Sequence, residues 1–121
     1  YEFRNYLKSD KKKRRYRIMV NKIENNDFSA VKASPFAVVD FSAVWCGPCQ
    51  MMAPVIEQLA GEYEGRVKIG KLNVDENPDI AVQYKVMSIP TMIIFRNGEV
   101  FSKEVGASSK KEVEKAIGRA L

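Results

Sequence analysis

The sequence predicts an α/β protein in which helices pack against a mixed β-sheet. Short apolar segments of strand length alternate along the chain with segments of helical periodicity. The chain then ends in two strands joined by a tight turn, followed by a helix. This order predicts a sandwich of helices around a sheet with parallel and antiparallel strands. A length of 121 residues with 45% hydrophobic content suits a single domain with its own core.

The first half of the domain is predicted to alternate between strands and helices. Residues 18–23 are a weak strand candidate, and Asn26 or Asp27 can cap a short helix that ends near residue 32. After Pro35, residues 36–42 form an apolar run of strand length. A long helix follows over 47–62, because apolar side chains recur there at helical spacing. These side chains are Met51, Met52, Val55, Ile56 and Leu59.

The second half continues the alternation and closes with a hairpin. Residues 67–74 read as a buried strand, and Asn77-Pro78 as the cap and first turn of a short helix that ends near residue 84. Strands over 91–95 and 100–105 flank Asn97-Gly98, the strongest short hairpin signal. Ser109 and Glu112 have the spacing of a capping box, which predicts a final helix up to residue 121.

The two cysteines of the chain, Cys46 and Cys49, are three positions apart at the turn between the predicted strand and the long helix. A disulfide between them would close a ring of only four residues, worth about 2 kcal/mol by chain entropy, so it is a weak structural link. Cys46 lies beside a helix N-terminus, where free amides and the helix dipole favour an anion. We therefore expect the pKa of Cys46 to lie below the ordinary value of about 8.5. We expect Cys46 to be exposed and reactive, and Cys49 to be buried and to resolve the bond.

Composition excludes several other classes of function. The chain has no histidine, which rules out histidine-activated nucleophiles and leaves too few ligands for a structural zinc site within one chain. No apolar stretch is long enough to span a membrane, and no apolar segment of a secretory signal follows the basic N-terminus. A single Cys-x-x-Cys pair fits a reducing compartment, so we expect a cytoplasmic protein.

Charge divides the chain into two parts. Residues 1–17 hold eight Lys/Arg and two Asp/Glu, a net charge of +6, whereas residues 18–121 hold twelve and thirteen, a net charge of −1. We predict a basic N-terminal extension over 1–17 and a domain over 18–121. The extension is either a solvated or non-native addition before Met19, or a segment for targeting, a membrane or a polyanion. We expect a monomer without a membrane partner, and nucleic-acid binding only if residues 11–17 provide it.

From about residue 18 onwards the chain resembles the thioredoxin family. The resemblance rests on an ordered set of motifs, of which Cys-x-x-Cys alone would be a weak signal because zinc sites share it. The motifs are Val39-Asp40-Phe41, Trp45-Cys46-Gly47-Pro48-Cys49, Pro54, Lys71-Leu72-Asn73-Val74-Asp75, Ile89-Pro90-Thr91, Asn97-Gly98-Glu99 and Val105-Gly106-Ala107. It implies a three-layer sandwich with a central mixed sheet of about five strands flanked by four helices.

The resemblance assigns catalytic roles to four residues. Cys46 would attack a substrate disulfide and Cys49 would resolve the mixed disulfide; thioredoxin is itself the standard example of such a thiol, with a pKa near 7. Asp40 would relay the proton of Cys49, and burial should raise the pKa of this aspartate. Lys71 would tune Asp40. The alternatives are that Asp40 only pairs with Lys71, or that Lys71 is a strand-end charge in solvent.

The family resemblance also implies a substrate groove and a source of electrons. The Ile89–Pro90 bond would be cis and face the cysteines, so that the backbone of Ile89 pairs with an extended substrate. Apolar residues would complete the rim, namely Trp45, Val74, Gly106 and Ala107. The protein would carry no cofactor of its own, because a flavin-dependent thioredoxin reductase would return electrons from NADPH to the disulfide.

The sequence is also compatible with two other functions. Gly47-Pro48 between the cysteines matches reductants of the superfamily, but an oxidase or isomerase of the same fold is an alternative. So is a non-enzymatic module that carries the basic segment.

Ser42 stands where many bacterial thioredoxins have tryptophan, which leaves the redox potential open. Ser88 stands where glycine is common, which affects partner recognition.

Overall fold

The computed structural model describes residues 10–121, and within them the chain folds as the predicted α/β sandwich. In chain order the elements are α1 (Asp10–Met19), β1 (Asn21–Ile23), α2 (Ser29–Lys32), β2 (Phe36–Ser42), α3 (Gly47–Glu62), β3 (Lys68–Asn73), α4 (Pro78–Gln83), β4 (Thr91–Arg96), β5 (Glu99–Val105) and α5 (Lys110–Ala120). Across these residues, every helix is too short or too polar to cross a lipid bilayer.

The sheet is mixed and has five strands in the order β1-β3-β2-β4-β5. The first three strands in this order are parallel, whereas β4 is antiparallel to both β2 and β5. The turn between β4 and β5 has positive φ at both Asn97 and Gly98, 54° and 81°, which is the hairpin geometry that this dipeptide favours. The prediction of a mixed five-stranded sheet is therefore confirmed.

The two faces of the sheet bury separate cores, because side chains alternate along each strand. On one face, Val38, Ile69 and Ile94 pack with residues of α3 and α5. On the other face, Val39, Leu72 and Phe95 belong to a cluster that includes residues of α2 and α4. Asp40 has the same parity as Val38, so its side chain lies on the α3 face.

The described residues form five helices, whereas the sequence predicted four. The additional helix is α1, and Ile18 and Met19 complete it instead of starting the first strand. The predicted strand over 18–23 is therefore wrong in its first half, and the strand itself is Asn21–Ile23. Helix α1 runs across the predicted boundary after Arg17, and residues 1–9 of the predicted extension lie outside the described residues.

Helix caps are partly as predicted. The capping box of α5 is present, with Ser109 Oγ accepting from the Glu112 amide and Glu112 Oε1 accepting from the Ser109 amide. The predicted cap of α4 is wrong in detail, because the Asn77 side chain makes no cap hydrogen bond. Its Nδ2 donates instead to the carbonyl of Ile23 at 3.1 Å. The free amides of α4 at Asp79 and Ile80 donate to Oδ1 of Asn26.

Candidate active site

The cysteine pair lies where β2 leaves the sheet and α3 begins. Cys46 is the N-cap residue of α3, and its sulfur accepts a hydrogen bond from the Cys49 amide at 3.2 Å. Pro48 occupies the first turn, where a missing N–H costs nothing. A disulfide joins the two sulfurs. Cys46 therefore sits at the positive end of a 16-residue helix, where developing negative charge on sulfur is stabilised.

Cys46 and Cys49 are buried to a similar extent, contrary to the expected contrast between an exposed Cys46 and a buried Cys49. Cys46 is 5% exposed and Cys49 is 4% exposed in this disulfide-bonded state. Both pack with Ala43 in a small cluster, against which Val74 and Ile89 also pack. Val74 and Ile89 are residues that the family resemblance places in the substrate groove, and in the folded chain they also pack against the two cysteines.

The loop before β4 faces the disulfide with its backbone. The Ile89–Pro90 peptide bond is cis, as the resemblance implied. The carbonyl oxygen of Ile89 lies 3.9 Å from Sγ of Cys46. On the far side of the loop, the Gly106 amide donates to the Pro90 carbonyl at 2.8 Å, with Gly106 at φ +92°. The structure thus brings Cys46, Ile89, Pro90 and Gly106 together, and exposed Ala107 follows Gly106 in the chain.

Trp45, the residue before Cys46, is held by a residue that the sequence did not single out. Its indole Nε1 donates to Oδ2 of Asp75 at 2.8 Å, although the side chain is 71% exposed. Asp75 follows β3, and Val74 before it bonds the Ser42 carbonyl through its amide at 2.9 Å. The only sequence signal for Asp75 was its place in the Lys71-to-Asp75 motif, which gave no role to its carboxylate.

Asp40 is buried on β2 without a partner for one of its oxygens. The residue is 1% exposed, and among the described residues nothing hydrogen-bonds Oδ1. Burial raises the pKa of Asp40 from 3.8 to about 6, and the positive charge of Lys71 opposes this rise. Lys71 is the register partner of Asp40 on β3, so both side chains lie on the α3 face of the sheet.

Asp40 and Cys49 line two cavities that have wall residues in common. The larger cavity, of about 350 Å³, is lined by Asp40 and Lys71. The smaller one, of about 50 Å³, is lined by Cys49, Ser42 and Lys71. Lys71 and Asn73 line both cavities. Asp40 and Cys49 thus line separate cavities that share Lys71 as a wall residue. Ser42 belongs to the wall on the Cys49 side.

Comparisons with known proteins agree with this geometry. The thioredoxin family model matches residues 19–119. Curated thioredoxins of Staphylococcus epidermidis and Staphylococcus aureus are 48% and 47% identical over 100 residues, which cover 83% of this chain and 96% of each relative. A solved mutant thioredoxin from Halobacterium salinarum is 31% identical, covers 83% of this chain and 88% of its own, and superposes with a TM-score of 0.75. The chain therefore belongs to the thioredoxin family and is a thiol-disulfide oxidoreductase that reduces protein disulfides.

Proposed function

We propose that the reaction runs through Cys46 as nucleophile and Cys49 as resolving thiol. The Cys46 thiolate attacks one sulfur of a substrate disulfide, forming a mixed disulfide and releasing the other substrate sulfur as thiolate. The Cys49 thiolate then attacks Cys46, so that the Cys46–Cys49 disulfide forms and the second substrate sulfur leaves. Substrate gains two electrons, and the cysteine pair loses them. The observation that carries this proposal is the joined pair at the N-terminus of α3, beside the Ile89 backbone.

The second step needs a base for the proton of Cys49, and we propose Asp40 for this role. With a pKa raised to about 6, its carboxylate is a better proton acceptor than an ordinary aspartate while remaining largely ionised at neutral pH. The cavity beside Cys49 has room for water and partly polar walls, and it shares Lys71 with the cavity of Asp40. A proton can therefore pass from the thiol to Asp40 through water, with Lys71 balancing the carboxylate.

We further propose how the substrate is held and how the pair is recharged. An extended substrate segment would pair with the backbone of Ile89 beside Cys46 and rest on the exposed side chain of Trp45. Disulfide-containing proteins are the substrate class of the family as a whole. A flavin-dependent thioredoxin reductase would return electrons from NADPH in the cytoplasm, and this protein itself would hold no cofactor.

Serine variants of the two cysteines test the order of attack. Cys46→Ser should abolish turnover of a disulfide-linked protein substrate, because no nucleophile remains at the helix N-terminus. Cys49→Ser should retain the first attack and accumulate a mixed disulfide, since the resolving thiol is missing. Non-reducing gel electrophoresis and intact mass spectrometry detect the trapped adduct, and dithiol treatment should release it. Turnover by Cys49→Ser at the wild-type rate would overturn the assigned roles.

A further inference from the structure

The strongest feature that the reductase chemistry does not use is the basic helix α1. Its ten residues include six Lys/Arg and one acid, Asp10. Outside residues 1–17 the chain has a net charge of −1, so the positive charge of this protein is concentrated on one element and the segment before it. All residues of this helix except Met19 lie before the region matched by the family model, which begins at residue 19.

Helix α1 is docked on the domain by its apolar side. Tyr16 is 7% exposed, and its ring lies so close to Gly61 of α3 that a side chain at position 61 would overlap it. Met19 and Val20 pack against the core on the α3 face of the sheet. Arg17 adds an ion pair with Glu57 of α3, with 3.8 Å between Nε and Oε2. The cations of α1 are therefore presented from a fixed helix.

The opposite side of α1 carries cations at helical spacing. Lys11, Arg14 and Arg15 are exposed and, with Lys12 and Ile18, line a shallow concave surface. Positions 11, 14, 15 and 18 share one helix face. Among residues 10–121, no carboxylate forms an ion pair with Lys11, Arg14 or Arg15. We propose that this face of α1 binds the phosphate backbone of double-stranded nucleic acid.

Two features of α1 favour a nucleic-acid duplex over other polyanions. A helix that binds a membrane must insert its apolar face between lipids, but Tyr16, Met19 and Val20 are already used against the domain. Proteins that hold single strands stack bases on aromatic side chains, and the one aromatic residue of α1 is the buried Tyr16. The outer face carries guanidinium and ammonium groups and one exposed apolar side chain, Ile18, which is too little apolar surface to insert between lipids. The row of cations suits the closely spaced phosphates of a duplex without reading bases.

Binding of the full chain to a fluorescein-labelled 20-base-pair DNA duplex tests this proposal by fluorescence anisotropy. The logarithm of the binding constant should fall linearly with the logarithm of the salt concentration. Two duplexes of unrelated sequence should bind equally. The variant Lys11→Gln/Arg14→Gln/Arg15→Gln should bind roughly tenfold or more weakly at low salt. Its salt slope should be shallower by about 2 to 3, since each phosphate contact contributes about 0.9.

A matched variant separates this surface from net charge. Lys32→Gln/Lys111→Gln/Lys115→Gln removes the same charge from α2 and α5 and should keep the wild-type slope. Both variants should retain wild-type disulfide reduction, so failure of this proposal leaves the proposed function intact. Equal loss of DNA binding in both variants would overturn the proposal, as would absence of binding at low salt. Tighter binding to anionic phosphatidylglycerol vesicles than to the duplex would also overturn it, in favour of a membrane.

Discussion

Asp40 shows how one buried carboxylate is both costly and useful. Its side chain is 1% exposed and lies on β2 beside Lys71 of β3. Burial disfavours the ionised form, and the neighbouring lysine compensates only in part, so the pKa of Asp40 rises from 3.8 to about 6. Such a carboxylate weakens the fold at neutral pH while serving as a proton acceptor, a conflict typical of functional sites.

Asp40→Asn is expected to stabilise the protein at neutral pH. A pKa raised from 3.8 to about 6 means that the folded state holds its proton more tightly than the unfolded state. The ionised aspartate therefore costs up to about 3 kcal/mol above pH 6, and this cost disappears as pH falls through 6 towards 4. Urea unfolding from pH 4 to 8 should show the gain at high pH only. Exposed Glu64→Gln should show no such pH-dependent gain.

The same Asp40→Asn variant should slow the second half of the reaction. An amide cannot accept the proton of Cys49, so a preformed mixed disulfide should resolve more slowly by roughly tenfold to a hundredfold near neutral pH. Stopped-flow measurement of substrate release checks this, and the first attack by Cys46 should change little. Resolution at the wild-type rate with unchanged pH dependence would leave Asp40 only a structural role.

At the residue scale, the sequence predicts those site residues whose signature is local. The spacing of Cys46 and Cys49 and the position of Asp40 inside an apolar strand can be read directly from neighbouring residues. The partner of Trp45 could not be predicted in this way, because Asp75 is 30 positions away and its carboxylate meets the indole only in the folded chain. The family resemblance places Val74 and Ile89 near the cysteines, but the similar burial of Cys46 and Cys49 depends on how closely these distant segments pack in the folded chain.

At the scale of elements, strands and helices with strong local signals were predicted and α1 was not. The Asn97-Gly98 turn and the Ser109–Glu112 capping box determine their own geometry within a few residues. Helix α1 contains six cations and few apolar residues, a composition that favours a solvated segment. It is held by Tyr16 against Gly61, a contact between residues 45 positions apart that no local pattern reveals.

Gly61→Ala tests the docking of α1. In a free helix, alanine for glycine stabilises by about 1 kcal/mol. At position 61 the new Cβ would overlap the ring of Tyr16, so we expect α1 to be displaced and the gain to be lost. Limited trypsin digestion should then cleave within residues 11–15 faster than in the wild type. Gly118→Ala in α5 is the matched control, because nothing lies within 4 Å of its Cβ position.

The result for Gly118→Ala fixes the interpretation of Gly61→Ala. The control should raise the free energy of unfolding by about 0.5–1 kcal/mol and leave trypsin cleavage at wild-type rates. If Gly61→Ala behaved in the same way, α1 would not rest on α3 in solution. The binding surface proposed for α1 would then lose its fixed helical presentation.

At the scale of the whole molecule, the residues that stabilise the fold are different from those that carry the disulfide chemistry. Strand β2 is central, paired with β3 and β4, and its end places the cysteines at the start of α3. Both faces of the sheet are covered by core clusters, so we expect the fold to persist without the short disulfide ring. The pair can therefore open and close with a modest effect on stability, which reversible dithiol chemistry requires.

Because the core clusters stabilise the fold, we predict only a modest difference in the free energy of unfolding between the oxidised and the reduced protein. The Cys46–Cys49 disulfide closes a ring of four residues, for which chain entropy gives about 2 kcal/mol, against 2–5 kcal/mol for disulfides that hold small secreted domains together. At pH 6, where most thiols are protonated, addition of a dithiol should lower the urea midpoint by about 1 M while the cooperative transition persists. The double variant Cys46→Ser/Cys49→Ser should not respond to the dithiol. Loss of the cooperative transition on reduction would show that the disulfide holds the fold together. Equal urea midpoints for the oxidised and reduced protein would contradict the predicted stabilisation by the disulfide.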